Sequence, residues 1–229
     1  QTDKDHDFKM AKNMDIFNAI YKNLDLPLRL FLIAYTRVTM MRRDKPAMEI
    51  KRLEREAYAG KRFTARYQTS GYYDISPAEK GFQITYTPFE KPVERSFDDV
   101  FFGEWLEEPV AFGAFQDGRM IGYVEGAPET WNGRFRISNI CLFDSGERRR
   151  GVGTMLMAVI QKEAAASGAR MIVLETQSCN EAAIGFYRKN GFAVIGFDLY
   201  AYSNTDPERH EVRVEMGKKL QQSEQEVRI

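Results

Sequence analysis

Two stretches decide how this chain reads: Arg148-Arg149-Arg150-Gly151-Val152-Gly153 and, about 30 residues further on, Asn180-Glu181-Ala182-Ala183-Ile184-Gly185-Phe186-Tyr187-Arg188-Lys189-Asn190-Gly191-Phe192. The first lies between the apolar run Phe135–Phe143 and an amphipathic stripe, so it is a turn from strand into helix. Backbone N–H groups in a first helical turn lack intrahelical acceptors and carry the positive end of the dipole, and glycine lets a bound anion approach closely. Three adjacent arginines add mobile charge suited to phosphates. The loop is a candidate pyrophosphate cradle, with a glycine turn beside a solvated basic cluster as the plain alternative. It lacks both the three-glycine spacing of a dinucleotide-binding turn and the Lys-Ser/Thr of a P-loop.

Working outward, Met155, Leu156, Val159, Ile160 and Ala164 predict a helix over Gly151–Ser167. Met171–Glu175 reads as a buried strand, Glu181–Asn190 as a helix and Ala193–Tyr200 as a strand, a crossover that makes the two strands parallel. Val212, Val214 and Met216 alternate in His210–Gly217, a strand expected to close the sheet. On the other side, Asp117-Gly118 between Val110–Gln116 and Met120–Glu125 is a hairpin signal, because both turn residues tolerate positive φ. Trp131-Asn132-Gly133 turns the chain again, into Phe135–Phe143. Further upstream, Phe63–Gln68, Tyr72–Ile75 and Phe82–Thr87 read as short strands and Phe97–Leu106 as a short helix.

The first 60 residues read as three helices. Met10, Met14, Phe17, Tyr21 and Leu24 share one face; Asp25 and Pro27 start a second helix reaching about Met41; a third spans Pro46–Ala59 and ends at Gly60. The expected division is a helical extension over 1–60, an α+β domain over 61–220 and a flexible tail over 221–229.

Composition narrows the classes. The 229 residues carry 33 Lys+Arg and 33 Asp+Glu, a neutrality that argues against coating nucleic acid or anionic membrane. It is a cancellation: residues 1–70 hold 15 basic and 9 acidic side chains, and the remainder is acidic. Two distant cysteines, Cys141 and Cys179, and two histidines support neither a disulfide framework nor a metal cluster. The longest apolar run, Leu30 to Tyr35, is far below the roughly 20 residues needed to cross a bilayer, and the N-terminus lacks a signal-peptide core. The expected location is cytoplasmic. A DNA-binding role for the basic 1–60 segment finds no helix-turn-helix spacing, so its apolar stripe is expected to pack on the sheet or on a partner subunit, as in a homodimer.

Taken together, Arg148-x-x-Gly151-x-Gly153, Asn180 with Tyr187 seven residues on, and Asn190-Gly191-Phe192 resemble the GCN5-related N-acetyltransferase (GNAT) superfamily over roughly residues 80–217. Leu174-Glu175-Thr176-Gln177, Asn180, Gly196-Phe197-Asp198-Leu199-Tyr200 and the Trp131-Asn132 turn are most like streptothricin acetyltransferases. The resemblance implies a mixed, mostly antiparallel sheet whose central parallel strands splay apart, flanked by helices. It implies acetyl-CoA as cosubstrate and no metal. The thioester carbonyl is expected at a backbone N–H of Leu142 or Phe143, an oxyanion-type contact. Arg148, Arg149, Arg150, Gly151, Val152, Gly153 and Thr154 would hold the pyrophosphate, and Asn180 would contact the pantetheine arm. Tyr187 matches the tyrosine that protonates the leaving thiolate, a role suited to a phenol with an ordinary pKa near 10.

The general base is where the sequence departs from the pattern. Strand Arg134–Phe143 contains no Asp or Glu and offers Ser138 and Asn139 where the streptothricin type has acids, which leaves Glu125 and Glu175 as candidates. Nine acids between residues 94 and 129, against Arg95 and Arg119, favour a small cationic amine as acceptor. The competing readings are a non-catalytic acyl-CoA-binding regulatory module and a protein or peptide N-acetyltransferase.

Overall fold

The computed structural model describes residues 48–143 and 151–220, together with Asp25 and Leu28. The helices expected before residue 48, Arg148 to Arg150 and the tail 221–229 lie outside the described residues. The chain divides into two units at residues 47 and 48. The second unit begins with strand β1 (Met48–Arg52), a one-turn helix α1 (Arg55–Tyr58) and two long strands, β2 (Arg62–Ala78) and β3 (Gly81–Val100). A meander follows, β4 (Val110–Gln116), β5 (Arg119–Glu129) and β6 (Arg134–Leu142). Then come α2 (Val152–Ala166), β7 (Met171–Gln177), α3 (Glu181–Lys189), β8 (Ala193–Asp198), α4 (Asp206–Arg209) and β9 (Arg213–Lys219).

Seven strands form one sheet in the order β1-β4-β5-β6-β7-β9-β8, and β2 and β3 form a separate two-stranded ribbon. The β4–β5 hairpin turns where Asp117-Gly118 requires it, with φ of 50° and 76°. β6 and β7 are parallel but pair only from Arg134↔Met171 to Ile137↔Leu174. Beyond Ile137 and Leu174 they part, which is the expected splay. Helix α2 buries Val152, Leu156, Met157, Ile160 and Ala164. That stripe is turned slightly from the one read in sequence, leaving Met155 exposed. On the opposite face the base of the ribbon packs Phe63 and Phe101 against Tyr123, with ring centroids 5.7 and 4.5 Å from it.

Four expectations are corrected. Residues 48–52, assigned to a third helix, are a strand paired antiparallel with β4 from Met48↔Gln116 to Arg52↔Phe112. Met48 and Ile50 are half-buried between exposed neighbours, so period-two alternation wins over helix propensity once β4 offers an open edge. The sheet therefore begins at Met48, not residue 61. Phe97–Leu106 is not a helix: β3 continues to Val100, and the chain then bends through Phe102, at φ 55°, to bury Phe101 and Phe102. The three short upstream strands are two long ones, broken in register between Thr69 and Gly71 opposite Pro88, which has no N–H to donate. Finally, β9 does not close the sheet. It lies between β7 and β8, antiparallel to both, so β7 and β8 run parallel as read but are not neighbours.

Candidate active site

The splay between β6 and β7 opens a cavity of about 210 Å³. Its walls are Ile140, Cys141 and Leu142 of β6, Gly153 of α2, Asn180, Phe186 and Tyr187 at α3, and Ala65, Tyr67 and Phe97 of the ribbon. Phe143 donates its backbone N–H to Ile121 at 3.0 Å. Because successive peptides of a strand point to opposite edges, the N–H of Leu142 aims the other way, into the gap. Of the two carbonyl-polarising candidates, geometry therefore favours Leu142.

At the start of α2, Gly151 adopts φ 85°, a conformation glycine reaches without strain, and no side chain caps the helix. The N–H groups of Val152, Gly153 and Thr154 occupy the uncapped first turn, an arrangement suited to an anion. Gly153 faces the Phe186 ring of α3, and a Cβ there would sit 3.4 Å from it, in ordinary contact. Asn180 caps α3, its Oδ1 accepting from the N–H of Ala183 at 3.2 Å. An apolar channel with a helix N-terminus at one end fits a pantetheine arm and its pyrophosphate. Tyr187 is nearly buried against Phe186 and Phe192, and burial, reinforced by the nearby Cys141 thiol, pushes its phenol up from the ordinary value. It packs the core and keeps its proton. Cys141, raised to about 12 mainly by burial, is likewise protonated and a poor nucleophile.

The carboxylates are gathered by a bulge. Glu125 faces Asn139 and Gly126 faces Ile137, so Ser138 is the extra residue of β6. Gly126 is required there, because a Cβ would come within 2.7 Å of the Arg136 carbonyl oxygen and 2.5 Å of the Phe135 ring. The bulge brings two consecutive side chains into use. Ser138 Oγ donates to Glu125 Oε2 at 3.2 Å, and Asn139 Nδ2 donates to Asp99 Oδ2 at 2.9 Å. Where β6 lacks acids of its own, its Ser138 and Asn139 thus hold carboxylates from β5 and β3.

Glu125 is fully buried rather than solvated, and its Oε1 has no hydrogen-bond partner among the described residues. Burial raises its pKa to about 7; the hydroxyls of Tyr123 and Ser138 pull it down, and the charge of Asp99 adds to the rise. A carboxyl poised there can accept a proton at neutral pH. Neither carboxyl lines the cavity: Glu125 lies one row along the β5–β6 ladder from Cys141, whereas Glu175 is held elsewhere by arginines. Glu175 lies 3.7 Å from Arg136 and 3.6 Å from Arg213, with the Tyr202 hydroxyl donating to it at 3.3 Å.

The acids of 94–129 do not form one cleft. Asp98 accepts from Thr64, Glu129 pairs with Arg134 and Arg136, and Asp117 sits in the hairpin turn. Only Asp99 converges with Glu125. Sequence reasoning counted Asp99 among the acids without assigning it a role; its place in the alternation Phe97-x-Asp99, on one face of a strand, was the available signal.

Residues 78–192 match the model of the Acetyltransferase (GNAT) family, half of the chain, and the chain belongs to that family. It is an acetyl-CoA-dependent N-acetyltransferase. It is 28% identical over 150 residues to a streptothricin acetyltransferase of Streptomyces lavendulae, covering 62% of this chain and 79% of that one. To streptothricin acetyltransferase A of Bacillus subtilis it is 32% identical over 133 residues, covering 56% and 76%. The structure of nourseothricin acetyltransferase superimposes with a TM-score of 0.62 at 25% identity, over 76% of this chain and 98% of that chain. A Bacillus anthracis protein solved in complex with acetyl coenzyme A shares the fold, with a TM-score of 0.58 at 23% identity over 76% and 99%. No helix among the described residues is long and apolar enough to cross a membrane.

Proposed function

We propose that this chain acetylates a primary amine of a small cationic substrate of the streptothricin kind, by direct transfer. Bound acetyl-CoA supplies the activated acyl carbon. Glu125 takes the proton from the attacking ammonium, directly or through water, and the side chain of Asp99 lies beside it on the path of the incoming cation. The N–H of Leu142 polarises the carbonyl, and Tyr187 donates its proton to the departing thiolate. The first turn of α2, together with Arg148 to Arg150, holds the pyrophosphate, and Asn180 the arm.

The observation that carries this reading is the fully buried Glu125, held by Ser138 on the same face of the sheet as the Cys141 wall of the cavity, where burial raises its pKa. It also counts against a non-catalytic acyl-CoA-binding module, whose motive was the absence of acids on β6. The similarity to streptothricin acetyltransferases supports the acceptor class. The test is thiol release from acetyl-CoA by the purified chain, with mass spectrometry of the acceptor. Streptothricin is expected to gain one acetyl group. No thiol release with streptothricin or any of a broad panel of amines would overturn the proposal.

A further inference from the structure

We propose that Trp105, Trp131 and Glu107 form a docking groove for a second positive charge on the acceptor, so that the preferred substrate is an amine with at least two cationic groups. This rests on reading the chain as an amine acetyltransferase and specifies the other end of its substrate.

Trp105 and Trp131 are 68% and 82% exposed, yet both line one groove of about 250 Å³ with Leu106, Glu107, Pro128 and Glu129. Large aromatic rings left in water around a concavity mark a binding surface rather than a core. Trp131 already serves as a cation platform, with the Arg134 guanidinium 5.9 Å from its ring centroid. The arginine lining the groove, Arg136, is answered by Glu129, Glu215 and Glu175, so it does not repel a cation there. Glu107 is exposed and has no ion pair among the described residues. A cation entering the groove would meet two aromatic rings and one unanswered carboxylate.

The groove's position connects it to the reaction. Across the β5–β6 ladder, Tyr123 opposes Cys141, Glu125 opposes Asn139 and Ala127 opposes Arg136. Opposed residues share a face, and the bulge at Ser138 keeps these three rows on the same one. Cys141 lines the cofactor cavity, and Ala127 and Arg136 line the tryptophan groove. The two concavities therefore flank the Glu125 row from opposite ends. One row along a strand is two residues, roughly 7 Å, which sets the minimum separation between the reacting amine and the second charge.

Because these are the only two tryptophans in the sequence, the emission of the full chain, excited where tryptophan absorbs and tyrosine does not, comes from the two rings of this groove. Titration with streptothricin or spermidine is expected to shift the emission saturably, whereas n-butylamine, with a single charge, leaves it unchanged at equal concentration. Glu107→Gln is expected to raise KM for the multivalent amine about tenfold without moving KM for acetyl-CoA. Glu104→Gln, an exposed neighbour outside the groove, serves as the control and leaves both constants in place. Emission unmoved by both multivalent amines, or KM unchanged in both Glu107→Gln and Trp131→Ala, overturns the groove even if acetyl transfer proceeds. A saturable shift weakened by Glu107→Gln, with no thiol released, keeps the groove and removes the acetyl-transfer reading instead.

Discussion

Replacing Glu125 by glutamine preserves the shape of the side chain and removes its ionisation, so it isolates what the buried charge does. Burial in the fold raises this carboxyl from its ordinary value of 4.5 to about 7. The folded state therefore holds the proton more tightly, and its stability falls as pH rises through that window. Below about pH 4.5 both states are protonated and the variant and parent differ little in this respect. Above about pH 7 the parent carries a buried carboxylate with an unpartnered Oε1, and the full penalty applies. At 1.36 kcal/mol per pH unit of displacement, the penalty is about 3 kcal/mol. For a chain of this size that corresponds to roughly 6–12 °C in melting temperature. Thermal melts of both proteins from pH 4.5 to 9 should converge at the acid end and separate by that amount at the alkaline end, the glutamine variant being the more stable. In the same variant kcat/KM should fall by about 10²- to 10⁴-fold, and the acid limb of its pH profile, with a midpoint near 7, should vanish. Parallel melts across the whole range, or an intact limb in the variant, would refute the reasoning.

Three further outcomes follow from neighbouring contacts. Asp99→Asn removes a negative charge that raises Glu125, so the acid limb of kcat/KM should move to lower pH; an unmoved midpoint would show that burial alone sets it. Tyr187→Phe keeps the aromatic packing and loses the proton donor, so kcat should drop about 100-fold while acetyl-CoA binding by calorimetry is retained. Gly126→Ala drives a methyl group against the Arg136 carbonyl and the Phe135 ring and should cost about 1–3 kcal/mol in urea unfolding; a neutral result would mean that the bulge can relax.

Local pattern was enough for the parts of this molecule whose physics is local. Asp117-Gly118 had to turn, the stripe through Leu156 and Ile160 had to be a helix facing the sheet, and the glycine at 151 had to open it. Asn180 and Tyr187 were legible as a pair because they lie seven residues apart along one short helix, and the fold places both at the same cavity. What sequence could not determine was decided by pairing between distant segments. Residues 48–52 became a strand because β4 had a free edge, β9 pairs with both β7 and β8 and lies between them, and the ribbon carried Asp99 against Asn139 of β6. The carboxylate cluster depends on one extra residue, Ser138, in the β5–β6 register. A bulge leaves almost no trace in periodicity, because it exists only relative to the strand opposite, and that relation is settled by the packing of the whole sheet.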